Sequence, residues 1–298
     1  MNVPERLVPL YIRATGRHRP YASEAGAREH LETRTRHPEP FAPPPKLGGR
    51  LDVSLTRRDG WPVYTVAPSG AQRAGSVVYV HGGGWVNEIV RQHWRLIARI
   101  ATEAQTTVVV PIYPLIPTGT AEGVVARVVD IVRQCREQYG DTRLAGDSAG
   151  GQIALSAALE LRDRLDIALS RTVLISPALD LTWSNPQIPE VQPDDPWLAV
   201  PGGRYFSETW RADLDVTDQR VSPLFGEFTG LGPVTVFSGT HDILNPDARV
   251  LATRLEGAGV DVDFHEGPGQ LHVYPLLPTA AGRRARATLT SQLAGGRA

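Results

Sequence analysis

The chain has one cysteine, Cys135, in 298 residues. An intramolecular disulfide needs two, so none can form, and no cysteine-based metal cluster can be built. Cys135 falls within a helical pattern and reads as a packing residue. Lysine is nearly missing as well: Lys46 stands alone, and arginine supplies the rest of the 31 basic side chains. Against 32 acidic residues this leaves a formal net charge of −1 and a pI near 6.7. So even a balance lacks the basic footprint that nucleic acid or an anionic membrane surface requires. Arg283, Arg284 and Arg286 read as a solvated helix face. No apolar run approaches the roughly 20 residues that cross a bilayer. Met1-Asn2-Val3-Pro4-Glu5-Arg6 lacks the basic and apolar regions of a secretory leader, so a soluble cytoplasmic protein without a membrane anchor is expected. Internal repeats and low-complexity tracts are also missing.

What is present is alternation. Strand-like runs at 77–80, 107–112, 142–145 and 172–175 alternate with helical patterns at 94–104, 121–139 and 150–164. This βα order predicts a parallel sheet with helices on both faces. Ahead of it, 53–56 and 63–66 flank Asp59-Gly60 and read as an antiparallel hairpin. Residues 4–36 carry Leu7, Leu10 and Tyr11 at helical spacing and predict one or two helices. Pro38, Pro40, Pro43, Pro44 and Pro45 then make a stiff linker. Between about 183 and 220 the alternation stops. Pro186, Pro189, Pro193, Pro196 and Pro201 stand among Trp183, Trp197, Tyr205, Phe206 and Trp210. Prolines this dense break a long helix, and aromatics this dense do not make a disordered linker. The expectation is an insertion folded over the rest of the chain.

Two glycine motifs carry chemistry. Gly146-Asp147-Ser148-Ala149-Gly150 follows an apolar run and precedes a helix. G-x-S-x-G in that setting places a serine on a sharp strand-to-helix turn, clear of the sheet and beside free helix N–H groups. Upstream, Val77-Val78-Tyr79-Val80 opens into His81-Gly82-Gly83-Gly84-Trp85. Glycines there let backbone N–H groups approach a carbonyl oxygen, an oxyanion-hole loop. Gly83, Gly84 and Ala149 are the expected donors. His81 precedes the serine and reads as a brace, because chains of this kind order their triad Ser, acid, His.

That order directs attention downstream. Asp242 follows the strand-like 233–239, at the carboxyl end where open α/β sheets keep their sites. Asp247 is the rival, better explained as a first-turn helix acid. Residues 260–265 alternate like an edge strand, so His265 reads as structural. His272 lies on the following loop, where a general base belongs. His18, His30, His37, His93 and His241 have no such placement and read as surface or packing residues.

HGGGW, GDSAGG, the Asp242 loop, His272, Ser176-Pro177-Ala178-Leu179-Asp180 and Ser222-Pro223-Leu224-Phe225 together resemble the hormone-sensitive lipase family. The resemblance runs from about residue 52 to the end. It implies an α/β-hydrolase fold: a mostly parallel eight-stranded sheet, helices on both faces and a helical cap. It divides the chain into a cap segment and linker, 1–50, and a catalytic domain, 51–298, with a cap insertion at about 183–220. It implies a carboxylester hydrolase using Ser148, Asp242 and His272 on short- to medium-chain acyl esters, without metal or cofactor. Trp85, Trp183, Trp197 and Phe206 are the expected pocket residues. Homodimerisation through the last strand edge is a tendency of the family.

One stretch departs from the pattern. Many members carry Tyr-Arg-Leu-Ala-Pro-Glu where this chain has Tyr113-Pro114-Leu115-Ile116-Pro117-Thr118. That version, and His272 followed by Val273-Tyr274-Pro275, are more similar to the bacterial acetyl-hydrolases, which implies small acyl groups. Amide or lactone hydrolysis on the same residues stays open, as does a non-catalytic receptor of the same fold. The receptor is disfavoured because such relatives lose a triad member, usually the histidine. A chymotrypsin-like protease is excluded by the residue order and by the βα alternation.

Overall fold

A computed structural model of the protein describes residues 2–45, 47, 50–70 and 75–294. Lys46 lies outside them. The predicted hairpin forms: β1 (Leu51–Arg58) pairs antiparallel with β2 (Trp61–Pro68). Asp59 and Gly60 both take positive φ at its tip, the backbone hand that suits the twist of a two-residue hairpin. The remaining strands are β3 (Ser76–Val80), β4 (Thr107–Pro111), β5 (Thr142–Asp147), β6 (Thr172–Ile175), β7 (Val234–His241) and β8 (Val262–Leu271). They make one eight-stranded sheet in the order β1-β2-β4-β3-β5-β6-β7-β8. From β3 to β8 every pairing is parallel.

Successive residues of a strand point to opposite faces, and here each face has its own core. Val77, Tyr79, Val108, Val110, Val173 and Phe237 meet α4 (Arg91–Glu103) and α10 (Ala280–Gln292). Val78, Val80, Val109, Leu144, Leu174 and Val236 meet α5 (Ala121–Tyr139), α6 (Ala149–Leu165) and α9 (Asn245–Gly257). Burial on both sides explains why β3, β4 and β6 read as near-continuous apolar runs. Cys135 lies fully buried on α5.

Above the sheet's carboxyl ends sit α2 (Arg19–Ala22), α3 (Glu24–Arg36), α7 (Ile188–Val191) and α8 (Val200–Arg211). Ser23 starts α3 by accepting the Gly26 N–H at 3.1 Å, and Pro201 occupies the first turn of α8. α2 and α3 both pack on α8, so the N-terminal segment and the insertion form one layer.

Three expectations need correction. In α1 (Leu7–Ala14) the buried residues are Val8 and Ile12, packed near Leu271; Leu7, Leu10 and Tyr11 face solvent. The helix is apolar on more than one side, so periodicity alone could not choose its inner face. Arg286 is not on a solvated face. Its guanidinium donates to the carbonyls of Pro275 and Leu277, at 2.5 and 2.8 Å, just beyond His272. α4 begins at Arg91, earlier than its apolar pattern, because His93 accepts the Val90 N–H at 3.0 Å and caps it. No helix among the described residues is long and apolar enough to cross a membrane.

Candidate active site

β5 ends at Asp147 and α6 begins at Ala149, leaving Ser148 alone on the turn with φ 52° and ψ −120°. A residue with a Cβ is strained there, by about 1–3 kcal/mol, and the surroundings must hold it. They do: the Ser148 N–H donates to the Ile175 carbonyl at 2.8 Å, while its own carbonyl accepts from Gln152 and Ala178. The turn is too close for side chains at its flanks. A Cβ on Gly150 would lie 2.2 Å from the Val80 carbonyl oxygen, and one on Gly146 would lie 2.2 Å from that of Gly150.

The structure brings the three distant residues together. His272 Nε2 lies 3.0 Å from Ser148 Oγ, and its Nδ1 lies 2.8 Å from Asp242 Oδ2. Asp242 follows β7 and His272 follows β8, adjacent parallel strands, so both loops emerge at one end. Asp242 is fully buried, and its Oδ1 accepts the Leu244 N–H at 3.0 Å, which fixes the carboxylate plane. Val273, at a left-handed φ of 48°, donates its N–H to Ser176 Oγ at 3.0 Å and so holds the loop carrying His272. Asp247, the rival acid, instead accepts from Asn185 at 2.7 Å; burial pushes its carboxyl up to about 7.

Electrostatics favour a cationic His272. Burial is the largest single influence and opposes the charge. The adjacent Asp242 charge and hydrogen bond, helped by Asp195 and Asp147, outweigh it and hold the imidazole above its ordinary value. Asp195 belongs to the insertion. Its carboxylate accepts N–H groups from Trp197 and Leu198 on one oxygen, and from Ile243 on the other. It thereby straps the insertion to the residue after Asp242. Burial first, and the Asp242 charge second, raise its pKa to about 6.

Gly83 and Gly84 take positive φ at 135° and 61°. The Gly83 carbonyl is drawn toward Asn87 by that residue's N–H and side-chain amide, both at 3.0 Å. His30 of α3 in turn lies 2.7 Å from Asn87 Oδ1, so this histidine orients the loop's anchor. Ala149 opens α6, where backbone N–H groups have no partner inside the helix. His81 stacks on Tyr113 with ring centroids 4.5 Å apart, and burial lowers its pKa to about 4; it is a neutral brace.

Asp147, inside the serine motif, holds the two glycine loops together, a role its sequence position did not reveal. It accepts from the Tyr79 hydroxyl at 2.7 Å and the Gly82 N–H at 3.0 Å, and His93 Nε2 lies 3.1 Å away. Burial alone would raise its pKa. The charge and hydrogen bond of His93, then the other donors, lower it instead. His93 is therefore more than packing. Gln152 was likewise missed: its amide oxygen accepts both indole N–H groups of Trp85 (3.2 Å) and Trp210 (2.9 Å), which stack on each other.

A cavity of about 20 Å³ adjoins Ser148. Trp85, Trp183 and Phe206 line it with Tyr21, Leu198 and Leu244. Trp197 does not; its ring stands edge-on to His272 at 5.8 Å, because the Asp195 strap turns it toward the loop. A larger cavity of about 210 Å³ lies between Arg6, Val8, His241, Gln270 and Leu277, and does not reach Ser148.

A family model described as the alpha/beta hydrolase fold matches residues 77–276. The chain belongs to this family. Within the alpha/beta hydrolases it is similar to a triacylglycerol lipase of Mycobacterium tuberculosis, 34% identical over 79% of this chain and 50% of that protein. The chain thus spans about half the length of that relative. It is also similar to an acetyl-hydrolase of Streptomyces hygroscopicus, 31% identical over 70% of this chain and 72% of that one. Among solved structures, one described as a putative esterase from Staphylococcus aureus superposes with a TM-score of 0.86 at 25% identity, covering 92% and 94% of the two chains. An esterase from the bacterial hormone-sensitive lipase family superposes at 0.79, also 25% identical, covering 94% and 96%.

Proposed function

We propose that this chain is a serine carboxylester hydrolase acting on short acyl esters of small molecules through an acyl-enzyme. The observation that carries the reading is the continuous relay Ser148 Oγ, His272, Asp242, at 3.0 and 2.8 Å. His272 takes the Ser148 proton as Oγ attacks the acyl carbon. Asp242 orients the ring and stabilises its cation. N–H groups of Gly83, Gly84 and Ala149 receive the oxyanion. His272 then protonates the leaving alcohol, and water repeats the sequence on the acyl-enzyme. Residues 1–50 and 183–220 act as a cap over a body spanning 51–298, in a soluble cytoplasmic enzyme.

Acyl size follows from space. A site of about 20 Å³ holds little more than one water-sized group. With Trp183 and Phe206 as walls, this supports acetyl over longer acyl chains. The test is hydrolysis of p-nitrophenyl acetate, butyrate and octanoate by wild type and Ser148→Ala. Activity should be highest on acetate and vanish in the variant. Equal rates for the two proteins would eliminate the proposal.

A further inference from the structure

Ser148, Asp242, His272 and the glycine loop all come from the sheet-bearing body. One polar group in the same cavity does not. Tyr21, on the short helix α2, lines the cavity together with Ser148, Gly84 and Ala149. Its hydroxyl lies 2.8 Å from the point a Cβ on Gly84 would occupy, so it overhangs the oxyanion loop directly. Only a glycine at 84 leaves room for it.

The ring is held firmly. It meets Phe206 edge-on, with centroids 5.7 Å apart. Its own backbone is clamped by α8, where a Cβ on Gly202 would come within 2.4 Å of the Tyr21 Cα. The hydroxyl makes no hydrogen bond to another described residue and stays accessible through the cavity. Here the open side of the hydroxyl is the cavity. Burial, and secondarily the charge of Asp195, push its pKa up to about 12, so the group keeps its proton and remains a donor at neutral pH.

We propose that Tyr21 is a further catalytic residue: its O–H donates a hydrogen bond to the substrate's carbonyl oxygen at Gly84, adding a cap-borne donor to the body's N–H groups. This rests on the ester-hydrolase reading above. No proton changes hands at Tyr21. The bond strengthens as negative charge gathers on the oxygen during attack by Ser148, and it relaxes when the carbonyl re-forms. The full set of donors then exists only while α2 and α8 are seated over the sheet.

The test is Tyr21→Phe, which keeps the ring and its contact with Phe206 and removes only the oxygen. With p-nitrophenyl acetate, kcat should fall on the order of a hundredfold with KM nearly unchanged, as for loss of one oxyanion donor. A trifluoromethyl ketone that forms a hemiketal with Ser148 should bind the variant more weakly by a similar factor. The thermal midpoint serves as the folding control and should hold. A Tyr21→Phe enzyme within twofold of wild type in kcat, or one whose defect lies in KM alone, overturns the proposal. Wild-type protein with no esterase activity would instead sink the underlying reading, so the two failures are distinguishable.

Discussion

The two walls of the catalytic cavity are built differently. On the body side, buried polar groups answer one another: Asp147 receives Tyr79 and Gly82 and faces His93, while Gln152 receives two indoles and donates to Ser156 and the Arg220 carbonyl. On the cap side, aromatic edges and scattered polar straps do the holding (Asp195 to Ile243, Asn185 to Asp247, His30 to Asn87, Trp210 to Gln152), and the Tyr21 hydroxyl faces the cavity. A fully satisfied network specifies one geometry, because breaking any member leaves a buried group unmet. A wall of aromatic contacts tolerates change, and its unspent donor is available to a ligand. The Ser148, His272 and Asp242 relay thus stands on the rigid wall, while the Tyr21 hydroxyl and the pocket aromatics Trp183 and Phe206 stand on the other.

Mutations should expose this contrast, beginning with the relay on the body wall. His272→Ala should lower turnover on the order of a million-fold, and Asp242→Asn on the order of ten-thousand-fold, both measured with p-nitrophenyl acetate. A small loss in either would mean that the relay is not what drives attack. On the body wall, Asp147→Ala strips the acceptor from three buried groups and should cost about 3–5 kcal/mol in urea unfolding. Tyr79→Phe should cost about 1–3 kcal/mol, by removing one donor from a buried carboxylate. Costs near zero would show that the strut is redundant and would erase the difference between the walls.

The cap wall should answer in pH rather than in stability. His272 must be neutral to accept the serine proton, and its pKa is raised above 6.5. Activity should therefore fall as pH drops through a midpoint above that value. Asp195 is one of the carboxylates that raise it. Asp195→Asn should move the acid limb of kcat/KM to lower pH, while the fold survives on the remaining backbone contacts. An unmoved midpoint would reduce Asp195 to a mechanical strap. The smallest effect belongs to the exposed Arg36–Glu32 pair on α3, where Arg36→Ala should change stability by less than about 0.5 kcal/mol.

Much of the site is legible in the sequence. Ser148 and the oxyanion loop announce themselves because a tight turn and a close backbone approach admit only glycine, and glycine patterns survive in one dimension. Asp242 and His272 were found by chain order and by their position just past a strand. His30, His93, Asp147 and Gln152 were not, because nothing local marks them. His93 reaches Asp147 across 54 residues, and Gln152 reaches Trp210 across 58, through a packing arrangement that periodicity does not encode. Leu7, Leu10 and Tyr11 misled for a related reason: a helix apolar on two sides offers two possible inner faces, and only its neighbours choose.

Local chemistry was enough to determine the alternating architecture and the strained serine turn, since each depends on backbone conformations that few residue types allow. Tertiary structure decided which buried groups satisfy one another, where Trp197 turns, how little room is left beside Ser148, and that Tyr21 hangs over Gly84. Those outcomes depend on distances between segments far apart in the chain. Such distances are set by the packing of side-chain volumes from every element together, which no stretch of sequence carries alone.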